Sequence, residues 1–236
     1  MCRLLGVVAS PPRPADWYLV GAPKSLAWQS LRGQRAPHRD GFGYAVWQDG
    51  LRVRRWGKEE LAAFPGGLPP GPAEPVAALI AHVRKASPEF RDQLTADQAH
   101  PFPQADFALA HNGGIRDADK LDPAPGIDSQ KLARWLARTW RPRSPEGLAR
   151  ALAKLPSLIC DYSAVNLLLL TQDALYAFCH YRRQPDYYSL WYRREPGAVV
   201  VGSEPLDHSP GWQRLEDGQL LHIPLNLELQ PLQILP

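Results

Sequence analysis

The order of apolar patterns constrains this chain most: strand-like runs, then two amphipathic helices, then strand-like runs again. That order suggests sheets packed against a helical layer in one domain, residues 1–236. The first run, residues 2–9, reads as a buried strand that starts almost at the first atom of the chain. A proline-rich loop and a short helical stretch around Lys24–Leu31 follow. Gly41–Gln48 and Leu51–Trp56 read as a hairpin, because Asp49-Gly50 is a strong turn signal between alternating runs. Residues 64–75 form a stiff proline- and glycine-rich connector, with too little chain before it for an independent core. Val76–Val83 and Phe107–His111 read as buried strands.

In the helical part, Ser129 is placed to cap a helix with Leu132, Trp135, Leu136 and Trp140 on one face. Lys131, Arg134 and Arg138 take the other face. Ser144-Pro145-Glu146 has the cap, first-turn proline and early acid of a second helix start. Leu148, Leu152 and Leu155 supply its apolar face. Strands then return at Ala164–Thr171, Ala174–Tyr181, Tyr188–Tyr192, Ala198–Gly202 and Gln219–Ile223. The sequence has 25 prolines in 236 residues, and their clustering between periodic segments reads as loop stiffening.

A net charge of +3 is too small to suggest nucleic acid or an anionic membrane as the main partner. No apolar run approaches the ~20 residues of a membrane-spanning helix, and the N-terminal run makes no convincing signal peptide, so a cytoplasmic location is expected. Cys2, Cys160 and Cys179 are odd in number and widely spaced, which fits neither a disulfide framework nor a zinc site. His180, His208 and His222 lack metal-ligand spacing, and no cofactor or metal is expected. Tyr181-Arg182-Arg183 and Tyr192-Arg193-Arg194 read as solvated rims at strand ends, with snorkelling arginines.

Cys2 carries the most chemical information. Removal of Met1, favoured before a small residue, would leave a thiol beside its own α-amine. A free thiol titrates near ~8.5 and an α-amine near ~7.7–8.0, so the amine can serve as general base to the thiol. Further segments are Arg39-Asp40-Gly41-Phe42-Gly43, His82-Val83-Arg84-Lys85-Ala86-Ser87, Ala99-His100-Pro101-Phe102, His111-Asn112-Gly113-Gly114-Ile115 and Gly126-Ile127-Asp128-Ser129. Singly, each has an ordinary structural reading, since Asp-Gly and Asn-Gly are common turn pairs. Together they describe a pocket. Asn112 and the Gly113 N–H after a strand offer two donors for an oxyanion. Arg84 suits a carboxylate and Asp128 an ammonium. Such a pocket fits an α-amino acid with an acyl side chain, such as glutamine.

On these residues the sequence resembles the class II glutamine amidotransferases, and its opening Met1-Cys2-Arg3-Leu4-Leu5-Gly6 is most similar to the stand-alone branch of YafJ-like and ergothioneine-pathway amidohydrolase-like proteins. The resemblance implies an α+β, four-layer αββα N-terminal-nucleophile (Ntn) hydrolase sandwich, with two antiparallel sheets between helical layers. It implies that Cys2 attacks the glutamine side-chain amide and that Asn112 and Gly113 hold the oxyanion. Arg84 would bind the α-carboxylate and Asp128 the α-amine, with His82, Ser87 and His100 shaping the pocket. Arg3 and Asp40–Gly43 would support the nucleophile strand. The branch's Asn-x-Asp-Gly-Phe-Gly is His38-Arg39-Asp40-Gly41-Phe42-Gly43 here, and its Thr-Asp-Ser-Glu is Ile127-Asp128-Ser129-Gln130. Three activities are therefore open: hydrolysis of glutamine to glutamate and ammonia, hydrolysis of a γ-glutamyl small metabolite, or a catalytically silent binding module with the same fold. Any ammonia acceptor is expected on a separate enzyme.

Overall fold

In the computed structural model, which describes residues 2–235, the N-terminal apolar run forms β1 (Arg3–Arg13) at the centre of a seven-stranded sheet. The removal of Met1 concerns a residue outside the described ones. The next strands are β2 (Gly41–Trp47), β3 (Leu51–Gly57), β4 (Val76–Arg84), β5 (Phe102–Pro103) and β6 (Ala108–Ile115). After the helical part come β7 (Tyr162–Leu170), β8 (Ala174–Cys179), β9 (Trp191–Glu195) and β10 (Ala198–Gly202). The last three are β11 (Gln213–Arg214), β12 (Gln219–Pro224) and β13 (Gln230–Gln233). The larger sheet has the order β11-β9-β10-β1-β4-β2-β3, and the six-stranded sheet has the order β13-β12-β8-β7-β6-β5. Pairing is antiparallel in both.

Alternation along β1 explains the layering. Leu4 and Val8 face the second sheet and, with Ala45, Ile80 and Val201 of their own sheet, form one cluster with its Ala108, Ala110 and Leu168. Leu5 and Val7 point the other way, onto Leu26 and Ala27 of α1 (Leu26–Arg32). Beyond β3 lies the single turn α2 (Lys58–Leu61). The outer face of the six-stranded sheet is covered by α3 (Asp128–Thr139), α4 (Pro145–Leu152) and α5 (Leu155–Leu158). Leu132, Leu136, Trp140, Leu148 and Leu152 pack there on Leu109, Val165, Leu167 and Leu169. Period two in the strands and period 3.6 in the helices thus give the expected four layers. Among the described residues no helix is long and apolar enough to cross a membrane.

Three local expectations need correction. Ser129 does not cap α3, because the helix begins one residue earlier at Asp128. The Gln130 side chain instead accepts from the Ile127 N–H, which frees the Ser129 hydroxyl for the site. The strand expected at Tyr188–Tyr192 starts at Trp191, since the N–H groups of Tyr187 and Tyr188 both turn back to the Gln184 carbonyl. Arg193 is no solvated rim: it lies within β9, largely buried, and pairs with Asp207 at 2.7 Å and Glu195 at 2.5 Å.

Candidate active site

The alternation that builds the core also aims the site. Cys2 shares the parity of Leu4 on β1, His82 and Arg84 share that of Ile80 on β4, and Asn112 shares that of Ala110 on β6. All four therefore face the space between the sheets, at one end of it. There the Cys2 backbone nitrogen donates to Asn112 Oδ1 at 3.0 Å. This contact fixes the amide orientation and directs Asn112 Nδ2 away, buried and without a hydrogen-bond partner. A buried unsatisfied amide costs about 1–3 kcal/mol.

Gly113 follows at φ +155°, and a Cβ there would fall 1.9 Å from the Ala164 carbonyl oxygen, so only glycine fits. The nucleophile strand is clamped by Arg3, which is fully buried. Its Nε donates to Glu204 at 2.7 Å, its Nη1 to the Cys2 carbonyl at 3.2 Å and its Nη2 to the Gln34 carbonyl at 2.7 Å. Its guanidinium also lies 4.4 Å from the centre of the Tyr187 ring, which Arg35 covers at the same distance.

Cys2, Arg84, Ser87, His100, Gly113 and Asp128 line one narrow cleft of about 20 Å³. Arg84 is buried and its Nη1 donates to the Gln93 carbonyl at 2.6 Å. Burial lowers its pKa, opposed by the nearby Cys2, Asp40 and Asp128. Asp40 braces the same turn by accepting from the Ala86 N–H at 3.0 Å. Asp128 accepts from the Ile115 N–H at 2.9 Å and the Ser129 N–H at 2.8 Å. His82 does not line the cleft. It stacks behind His100, with ring centres 4.0 Å apart and all four ring nitrogens without partners. Burial, with help from the Arg84 charge, pushes the His82 pKa down to about 3, and burial beside His82 holds His100 well below its ordinary value. The pair is a neutral, polarisable wall.

Two participants were not assigned from sequence. His111 Nδ1 meets the Ser129 hydroxyl at 2.8 Å, and its Nε2 meets the Ala164 carbonyl at 3.2 Å. A carbonyl only accepts, so the proton sits on Nε2 and Nδ1 accepts from Ser129. His111 thereby holds the carbonyl against which Gly113 is packed. Its segment was visible in sequence, but its outward parity toward α3 was not. Glu204 lies 201 residues from Arg3, and nothing local marks it.

The arrangement provides a thiol beside a nitrogen held by an amide oxygen, a buried amide NH₂ without a partner, and a cation and a carboxylate at the cleft wall. Comparisons with known proteins agree with this chemistry. Residues 1–197 match the family described as class II glutamine amidotransferases. A Mycolicibacterium smegmatis protein named gamma-glutamyl-hercynylcysteine sulfoxide hydrolase is 28% identical over 229 residues, covering 94% of this chain and 96% of that one. A Mycobacterium tuberculosis protein of the same name is 29% identical over 231 residues, covering 94% and 93%. Among solved structures, glutamine phosphoribosylpyrophosphate amidotransferase from B. subtilis superposes with a TM-score of 0.67 at 17% identity over 99% of this chain. The chain spans only about half of that protein, 49%. A class-II domain protein from Silicibacter pomeroyi superposes with a TM-score of 0.62 at 17% identity over the full length of both. At such identities these two superpositions establish the Ntn-hydrolase fold.

Proposed function

As the chain belongs to the class II glutamine amidotransferases, we propose that it hydrolyses the side-chain amide of a γ-glutamyl group through a thioester on Cys2. The observation that carries this reading is the divided use of Asn112, whose oxygen holds the Cys2 nitrogen while its buried Nδ2 is left unpartnered. Once Met1 is removed, that nitrogen becomes the α-amine and takes the thiol proton. The thiolate attacks the amide carbon, and the oxyanion is held by Asn112 Nδ2 and the Gly113 N–H. The ammonium then returns its proton to the departing nitrogen and the amine leaves. Water, deprotonated by the same α-amine, cleaves the thioester and releases glutamate.

Arg84 binds the substrate α-carboxylate in place of the Gln93 carbonyl, and Asp128 binds the α-amine. Ser87 and His100 line the remaining wall, and His82 backs His100. With glutamine as donor, ammonia passes to solvent or to a separate acceptor enzyme. A second reading, in which the amide nitrogen belongs to a larger metabolite, is supported by the names of the mycobacterial relatives. A silent module has no use for a buried, unsatisfied amide whose oxygen holds the cysteine nitrogen. The test is glutamate release from glutamine and from γ-glutamyl amides by wild type and Cys2→Ala. Turnover by wild type alone is expected, and equal turnover by Cys2→Ala overturns the reading.

A further inference from the structure

The backbone alone already fixes the nucleophile strand. β1 is paired with β10 over Leu5–Ala9 and with β4 over Arg3–Val8. Close to Cys2, the Leu4 N–H donates to the Ser203 hydroxyl at 2.9 Å, and the Ser203 N–H donates to the Leu4 carbonyl at 3.0 Å. Between Cys2 and Leu4 stands Arg3, fully buried, and its guanidinium reaches Glu204 on that same turn after β10. Gly33 makes room for the carboxylate, since a Cβ there would fall 2.9 Å from Glu204 Oε1. The same oxygen accepts from the Gln34 N–H at 2.8 Å. A buried ion pair is weak evidence for stability, because apolar residues of similar volume often serve a fold as well. What this pair adds to a strand already held on both sides is its charge.

That charge is set against the main chain of the nucleophile. Arg3 Nη1 donates to the Cys2 carbonyl at 3.2 Å, while Glu204 accepts from a different nitrogen, Nε, at 2.7 Å. The positive member therefore touches Cys2 and the negative member touches Arg3. The carbonyl oxygen and the nitrogen of one residue lie within about 4 Å of each other, which puts the Arg3 charge roughly 7 Å from the Cys2 nitrogen. At an effective dielectric of about 20, a unit charge at that range shifts a titration by about one to two pH units. Other charges face Cys2 as well: Arg84 and Lys85 from the end of β4, His111 from β6 and Asp128 from α3. The phenols of Tyr187 and Tyr188 approach from the turn before β9, with Arg35 across the Tyr187 ring from Arg3. All of these stay in place when only the Arg3–Glu204 pair is changed.

We infer that the Arg3–Glu204 pair sets the proton affinity of the Cys2 α-amine: Arg3 lowers it through the Cys2 carbonyl, and Glu204 limits that lowering. Both are positioning residues, acting through the main chain of the nucleophile and not on the substrate. The sign follows from the charges. Without Glu204, the lone Arg3 cation opposes protonation of the amine, so the free base persists to lower pH. Without Arg3, the lone carboxylate favours the ammonium, so the free base is lost at higher pH. The inference rests on Cys2 being the processed nucleophile of the amidohydrolase reading.

The test is the pH profile of kcat/KM for glutamate release from the γ-glutamyl amide that wild type turns over fastest, since its acid limb reports the base of the free enzyme. Glu204→Gln keeps an oxygen for Arg3 Nε and for the Gln34 N–H, and its limb is expected to lie about one pH unit lower than that of wild type. In Arg3→Gln the limb should move about as far the other way, and Arg3→Gln/Glu204→Gln should return it to near the wild-type position. A purely structural pair would lower the rate in each variant and leave the limb in place. For a variant too slow to assay, the rate of Cys2 alkylation by iodoacetamide, followed on the N-terminal peptide as pH is varied, should shift in the same direction. An unmoved limb and an unmoved alkylation curve in folded Glu204→Gln overturn the inference and leave the amidohydrolase reading standing. Should that variant not fold, the same result in Arg3→Gln overturns it. Wild type that releases glutamate from no γ-glutamyl amide overturns both.

Discussion

Replacing Asn112 by Asp isolates the oxyanion donor from the tether that holds the nucleophile. The aspartate keeps an oxygen where Asn112 Oδ1 now accepts from the Cys2 nitrogen at 3.0 Å. It replaces the buried Nδ2 donor, which has no other partner to lose, with a carboxylate oxygen whose charge also opposes an oxyanion, so the loss of the donor sets the minimum effect. Loss of one preorganised donor costs about 2.7–4 kcal/mol in the transition state, or roughly 10²–10³ in kcat. Because that donor meets an oxyanion absent from the bound amide, KM should change less than about threefold. Asn112→Ala removes the tether as well and should lose at least as much. The assay is steady-state glutamate release, with a thermal melt of each variant to show that the fold is retained. If folded Asn112→Asp keeps more than a tenth of wild-type kcat, the assignment of Nδ2 to the oxyanion is refuted.

Arg84→Gln should raise KM for a γ-glutamyl substrate by roughly ten- to a hundredfold, since a buried charge-assisted contact is worth about 1.5–3 kcal/mol. An unchanged KM in steady-state kinetics argues against its role in binding the carboxylate. Gly113→Ala would set a methyl group 1.9 Å from the Ala164 oxygen, so the β6–β7 pairing must open; urea melts should show a loss of several kcal/mol. His82, His100 and His111 all have pKa values below the ordinary histidine value, by burial first. The unfolded chain therefore binds more protons below about pH 6.5. Stability is full above that pH and falls as pH drops toward 4, by up to about 1.4 kcal/mol per pH unit for each histidine. Asp122, held down by Arg138 and Arg134, and Asp207, held down by Arg193 to about 2, add to the loss only below the ordinary carboxylate range. A melting temperature flat from pH 7 to pH 4 contradicts this account.

How far the sequence carries these conclusions depends on the distance over which each signal acts. Strand parity is local. Once residues 2–9 form a strand, period two sends Leu4 and Leu5 to opposite faces, although two leucines do not say which face is inner. Ser144 caps α4 as its Ser-Pro-Glu start suggests, accepting from the Gly147 N–H at 3.1 Å. Ser129 misleads because its hydroxyl serves a tertiary partner, His111, while Gln130 supplies the local acceptor. Tyr188 sits in a turn despite its strand propensity, for its carbonyl is taken by Asn166 Nδ2 and its ring lies buried beside Tyr187. The Cys2–Asn112 and Arg3–Glu204 contacts span 110 and 201 residues. No local pattern encodes them; the chemistry of a thiol with an oxyanion site, and then the resemblance to a family, group Cys2 with Asn112 in the sequence, while nothing there groups Arg3 with Glu204.

The account stands on Cys2 being a processed N-terminal nucleophile in a γ-glutamyl-shaped cleft. Intact mass of the purified protein, before and after exposure to a diazo-ketone analogue of glutamine, tests that directly. A chain lacking Met1 that gains one adduct, with none on Cys2→Ala, is the predicted result. A chain that retains Met1 and takes no adduct would contradict it.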